Sequence, residues 1–185
     1  MTAARSYHMK FLETKLKGSF IIEIEEFADE RGYFARNWSQ REFEDAGLDA
    51  GLVECNVSFN YHRGTLRGMH FQIAPHEQVK LVRCTRGAIY DVIIDLRPAS
   101  KTFRKWVAVE LTAENRRMLY VPASFAHGFQ TLADNTEVSY QMSSYFVRES
   151  GRGVRWDDPA FGVEWPETDS RKMNARDRSY PDFNT

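Results

Sequence analysis

Short apolar runs, each cut off by a turn signal within about ten residues, confine this chain to a β-barrel or a β-sandwich. Ser19 to Glu25 sets Phe20, Ile22 and Ile24 against polar partners, and Val53 to Phe59 follows the same rule. Thr65 to Phe71 comes after the turn at Arg63-Gly64, and Lys80 to Cys84 is closed by Arg86-Gly87. Ala88 to Leu96 is the clearest strand. Ile89, Asp91, Ile93 and Asp95 fall on one face, and Tyr90, Val92, Ile94 and Leu96 on the other. Pro98 ends it, because proline has no N–H to give a ladder. Phe103 to Leu111, Met118 to Val121, Gly128 to Leu132 and Glu137 to Phe146 complete the set, so an all-β fold is expected. Two aspartates among apolar neighbours suit a partly polar barrel interior. A strand with one solvated face fits the same pattern.

One helix stands out, Ser39 to Ala46. Ser39 and Glu42 have capping-box spacing, and Gly47 sits where a helix stops. From about residue 155 the chain carries Pro159, Pro166 and Pro181 with Trp156 and Trp165, which reads as an irregular tail over the barrel. No repeat, low-complexity tract or linker divides residues 1–185, so a single domain is expected.

With 25 basic and 26 acidic residues the net charge is −1, which disfavours nucleic acid and anionic lipid as partners. Thirteen Phe, eight Tyr and four Trp offer stacking surfaces for flat ligands. Met1 to Lys17 lacks the apolar centre of a signal peptide, and no run nears the ~20 residues of a membrane span. A cytoplasmic protein is expected. Cys55 and Cys84 lie in strand-like runs and read as buried free thiols.

His70, in Leu66-Arg67-Gly68-Met69-His70-Phe71-Gln72, and His127, in Phe125-Ala126-His127-Gly128-Phe129, sit in apolar strand edges. There a histidine needs a hydrogen-bond partner or does chemistry. A metal site is disfavoured, since residue 72 is Gln and no His-x-His or His-x-x-x-His pair exists. No Gly-x-Ser-x-Gly elbow and no phosphate-cradling glycine loop is present. Anion binding would then fall to side chains such as Arg31, Arg67, Lys80 and the Arg152/Arg155 pair.

Taken in one register, several strings resemble the dTDP-4-dehydrorhamnose 3,5-epimerase family. They are Asp29-Glu30-Arg31-Gly32-Tyr33-Phe34, the His70 and His127 strings, Lys80-Leu81-Val82-Arg83-Cys84, Tyr140, and Gly153-Val154-Arg155-Trp156-Asp157-Asp158-Pro159. The resemblance runs from about Phe20 to Asp177. It implies a cupin-type jelly roll, a homodimer exchanging N-terminal strands, and no cofactor. The implied substrate is dTDP-4-dehydro-6-deoxy-D-glucose, epimerised to dTDP-4-dehydro-L-rhamnose. It further implies His70 as the base, Asp177 as its orienting carboxylate and Tyr140 as the proton donor. Arg67 and Lys80 match positive groups near the sugar ketone, His127 a second barrel histidine, and Arg31 a phosphate contact. Asn56 matches a sugar contact.

The chain departs from the family pattern at Glu54, Arg36, Gln141 and Phe146. Glu54 could repel or re-aim a sugar contact, and Phe146 stands at a frequent tyrosine position near the base. These departures leave open a relative that inverts one carbon or acts on another nucleotide-linked 4-keto sugar. A ketoisomerase and a non-catalytic sugar-nucleotide module are further alternatives. The joint presence of His70, Tyr140 and Asp177 favours catalysis, because binding alone needs no two-face acid–base pair.

Overall fold

A computed structural model describes residues 8–183; residues 1–7 and 184–185, and with them part of the Met1 to Lys17 reading, lie outside it. The strands are β1 (Met9–Glu13), β2 (Phe20–Ile24), β3 (Phe27–Asp29), β4 (Gly32–Phe34), β5 (Glu54–Asn60), β6 (Leu66–Gln72) and β7 (Lys80–Arg86). They continue as β8 (Ala88–Asp95), β9 (Trp106–Thr112), β10 (Met118–Val121), β11 (Phe125–Thr131), β12 (Thr136–Met142) and β13 (Gly151–Gly153). Two short helices, α1 (Gln40–Asp45) and α2 (Ala175–Arg178), complete the described secondary structure apart from one 3-10 turn.

The fold is an all-β, cupin-type jelly roll. One sheet runs β1-β2-β10-β7-β12-β5, the other β13-β6-β11-β8-β9, and β3 with β4 makes a separate hairpin. Between the sheets lies a core that includes Val82, Cys84, Ile89, Ile93, Leu111, Leu119, Phe129 and Val138. On the outer side of the six-stranded sheet, α1 drives Phe43 against Ile22, Leu81 and Met118. Over the outer side of the five-stranded sheet, Val154, Phe161 and Trp165 cover Met69, Val92 and Ile94. Strand β8 is therefore buried on both faces, and the solvated-face alternative falls. Ile89 and Ile93 join the inner core, whereas Val92 and Ile94 meet the tail.

Both β8 aspartates are fully buried and hydrogen-bonded. Asp95 accepts from Arg97 Nη2 (2.8 Å), Ser100 Oγ and Thr102 Oγ1 (both 2.6 Å). Although burial opposes its charge, these partners bring its carboxyl down to about 2. Residues 104 and 105 still bond to the Asp95 backbone, but β9 begins at Trp106, later than the Phe103 expected from sequence.

Three other expectations need correction. Ser39 does occupy the N-cap of α1, but its side chain makes no cap bond. Glu42 instead accepts from the Met9 N–H and from Arg36 Nη1, both at 2.8 Å. A capping box cannot form when its glutamate serves a neighbouring strand. Gly47 ends the helix as expected, at φ +73°. Cys84 is buried, but Cys55 is exposed on edge strand β5. Finally, Glu137 to Phe146 stops as a strand at Met142, and β1, β3, β4 and β13 arise from residues not assigned to strands.

Candidate active site

Strands β6 and β11 set His70 and His127 directly opposite each other. The pair register shifts just after His127. There Gly68, at φ +134°, comes so close that a Cβ on it would strike the Gly128 backbone. Only glycine allows this approach.

Each histidine holds an aspartate. His70 Nε2 lies 2.8 Å from Asp177 Oδ1, and His127 Nε2 lies 2.9 and 3.0 Å from the two oxygens of Asp91. Asp177 arrives from the tail on α2. Asn174 caps that helix, its Oδ1 accepting from the Asp177 N–H at 2.7 Å. The other Asp177 oxygen accepts from the Gly68 N–H at 3.2 Å. Burial opposes the Asp177 charge, but His70 and the Gly68 N–H hold its carboxyl below the usual range. An ionised carboxylate can only accept, so Nε2 of His70 carries the proton and Nδ1 is left as the basic nitrogen.

A cavity of about 160 Å³ is lined by Ser58, Arg67, His70, His127, Phe129, Tyr140, Asn174 and Asp177. It thus brings together five of the ten residues read from sequence: His70, Tyr140, Asp177, Arg67 and His127. Arg67 is aimed by Asn60, whose Oδ1 accepts from its Nε at 2.7 Å.

Lys80 lies behind this wall, its Nζ donating to the His70 carbonyl at 3.3 Å. Burial pushes its ammonium down to about 8, against the pull of Asp91. Asp91 is itself pushed up by burial, partly offset by His127 and then Lys80. Asn56 faces Tyr140 across the β5–β12 ladder, on the same side of β5 as Ser58, yet does not line the cavity. Glu54 has a structural partner: its Oε2 accepts from the Phe146 N–H at 2.8 Å. The Phe146 ring is exposed outside the cavity. Arg31 lies farthest from the expectation, at the exposed tip of the β3–β4 hairpin and paired with Asp29.

Sequence reasoning missed Ser58, Phe129 and Asn174, and it did not pair Asp91 with His127. Only Asp91 left a trace, as an acid on an apolar strand. Among the described residues no three His, Cys, Asp or Glu side chains converge as metal ligands.

The cavity thus holds a carboxylate-backed imidazole from one sheet and a phenol from the other, together with a guanidinium, groups that can accept and donate protons. The dTDP-4-dehydrorhamnose 3,5-epimerase family model matches residues 13–185. A dTDP-4-dehydrorhamnose 3,5-epimerase of Sinorhizobium fredii is 45% identical over 161 residues, covering 87% of this chain and 83% of that protein. The enzyme of that name from Bacillus anthracis, crystallised with TDP and PPi bound, superposes with a TM-score of 0.91. It is 40% identical, with 95% of this chain and 100% of that one covered. ChmJ, a 3'-monoepimerase from Streptomyces bikiniensis seen with dTDP-quinovose, reaches a TM-score of 0.85 at 31% identity, over 91% and 85% of the two chains. With a family model spanning nearly the whole chain and relatives at this identity, the chain belongs to the dTDP-4-dehydrorhamnose 3,5-epimerase family.

Proposed function

We propose that this protein inverts C3 and C5 of dTDP-4-dehydro-6-deoxy-D-glucose, giving dTDP-4-dehydro-L-rhamnose, without a cofactor. The observation that carries the reading is His70, fixed through Nε2 to an ionised Asp177, in one cavity with Tyr140 and Arg67.

The ketone acidifies the C–H bonds on both flanking carbons. His70 Nδ1 takes one such proton, the C–H pair becomes the C=C bond, and the ketone π pair moves onto oxygen. Arg67, with Lys80 behind it, stabilises that enolate; a fixed donor of this kind is worth roughly 10²–10³ in rate. Tyr140 then delivers its phenolic proton to the opposite face and regains one from water, while the imidazolium releases its own. The cycle is repeated at the second carbon.

A cavity of about 160 Å³ suits the sugar alone, since sites for whole drug-sized ligands start near 300 Å³. The nucleotide would then lie outside it. We propose that Arg31 meets the diphosphate only in a homodimer, with Asn56, Glu54 and Phe146 at the cavity rim. Support comes from the exposed Tyr33 on the hairpin, the exposed Val57 on edge strand β5 and the exposed Val53 just before it. One jelly-roll domain per subunit, working in the cytoplasm, fits two free thiols, one of them exposed.

The test is incubation with a panel of nucleotide-linked 4-keto-6-deoxy sugars in heavy water, followed by NMR. Exchange and inversion at both C3 and C5 of the dTDP sugar are expected. Inversion at one carbon alone would assign a monoepimerase, and no exchange with any member would remove the catalytic reading.

A further inference from the structure

His70 has two cross-strand neighbours, and only one of them carries a side chain. On the β11 side stands His127; on the β13 side stands Gly153. Directly opposite residues project to the same side of a sheet, so a side chain at 153 would stand beside the imidazole. That place is already filled, because a Cβ built on Gly153 would fall within the ring of Tyr180. The ring meets the imidazole edge to face, with centroids 6.3 Å apart and planes at 70°. This is within the range of favourable aromatic pairs. The Tyr180 hydroxyl is buried, and the Arg176 guanidinium stands beside it, 5.9 Å from the ring centroid.

We infer that Tyr180 is a positioning residue for the base: its ring replaces the missing side chain at 153 and keeps the His70 imidazole seated on Asp177. The inference rests on the reading of His70 as base. The His70 side chain is 38% exposed, so the single bond to Asp177 leaves room for the imidazole to tilt. Tyr180 closes one flank. Asp177 and Tyr180 also arrive on the same short stretch of tail, so one docking event sets both the orienting carboxylate and the wall. The ring performs this role, since it is the ring that fills the place at 153 and meets the imidazole.

The experiment compares Tyr180→Ala, Tyr180→Leu and Tyr180→Phe by steady-state kinetics and by long-range ¹H–¹⁵N spectra of the imidazoles. Tyr180→Ala is expected to lower kcat about 10-fold or more, because small misplacements of a reacting group are costly. KM should stay within about twofold, and the His70 signals should move away from a pure Nε2–H tautomer. Tyr180→Phe should restore both rate and spectrum, and Tyr180→Leu, which retains bulk should the alanine variant not fold, should fall between. A wild-type kcat and spectrum in the alanine variant, or in the leucine variant if only that one folds, would overturn the inference. So would a loss confined to KM, or a phenylalanine variant as impaired as the alanine one. His70→Ala run alongside separates the two claims: persistent deuterium exchange there removes His70 as base, whereas the tautomer spectrum judges Tyr180 by itself.

Discussion

The His70–Asp177 and His127–Asp91 pairs are nearly equal in length, 2.8 and 2.9 Å, but stand in unequal surroundings. The His70 side chain is 38% exposed, that of His127 only 9%. Asp177 is held below the usual carboxylate range, whereas burial drives Asp91 above it. One pair is open to a substrate and keeps a firm negative charge behind its imidazole. The other shows the cavity only an edge of His127, with Asp91 fully buried behind it and drawn toward Lys80. On the proposed reading the same two residue types serve as reactive base and as polar framework, divided by their exposure.

The sharpest break between them is kinetic. His70→Ala is expected to lower kcat on the order of 10³-fold, the usual scale for losing a general base. His127→Ala should lose about 10- to 100-fold, as a group that acts through its neighbours. Steady-state assays that reversed this ranking would exchange the two roles.

Stability should rank the other way. Removing Asp91 strands a buried partner, and Asp91→Ala is expected to cost about 3 kcal/mol in urea unfolding. Asp177→Ala should cost about 1 kcal/mol, since the half-open His70 can turn to water. Equal losses would mean that burial does not separate the pairs.

A smaller effect is expected from Asp177→Asn, which keeps the shape but withdraws the charge behind the imidazole. The predicted loss is about 10- to 100-fold in kcat with the fold intact. A loss confined to KM would make Asp177 a binding group.

The last prediction concerns Lys80. Its ammonium is the active form and exists below a pKa of about 8, so kcat/KM should fall as pH rises through that value. Arginine stays charged throughout, so in Lys80→Arg any activity that remains should lose this alkaline limb. An unchanged limb would assign it to another group.

Much of the framework was legible because period-two patterning carries its own physics. Ala88 to Leu96 read as the clearest strand, although its aspartates suited a polar interior and a solvated face alike. Short pairings were not legible: in β1 the exposed Leu12 breaks the alternation, and β13 has only three residues. The capping box failed because Glu42 is claimed by the Met9 N–H, a partner 33 positions away. At the site, the motif strings marked His70, Arg67 and His127, which lie on two neighbouring strands. Asn174, Asp177 and Tyr180 come from an irregular tail that no local pattern aims at the cavity. Asp177 was named through resemblance, and the other two were missed. Arg31 shows the converse, a matched position that in one chain lies far from its expected partner.

The central claim is that an imidazole and a phenol act on opposite faces of one sugar. Deuterium incorporation by Tyr140→Phe and His70→Ala, followed by NMR in heavy water, tests it most directly. Tyr140→Phe is predicted to incorporate deuterium at C3 and C5 without inverting either carbon, and His70→Ala to incorporate none. Deuterium entering with His70→Ala at the wild-type rate would contradict the account.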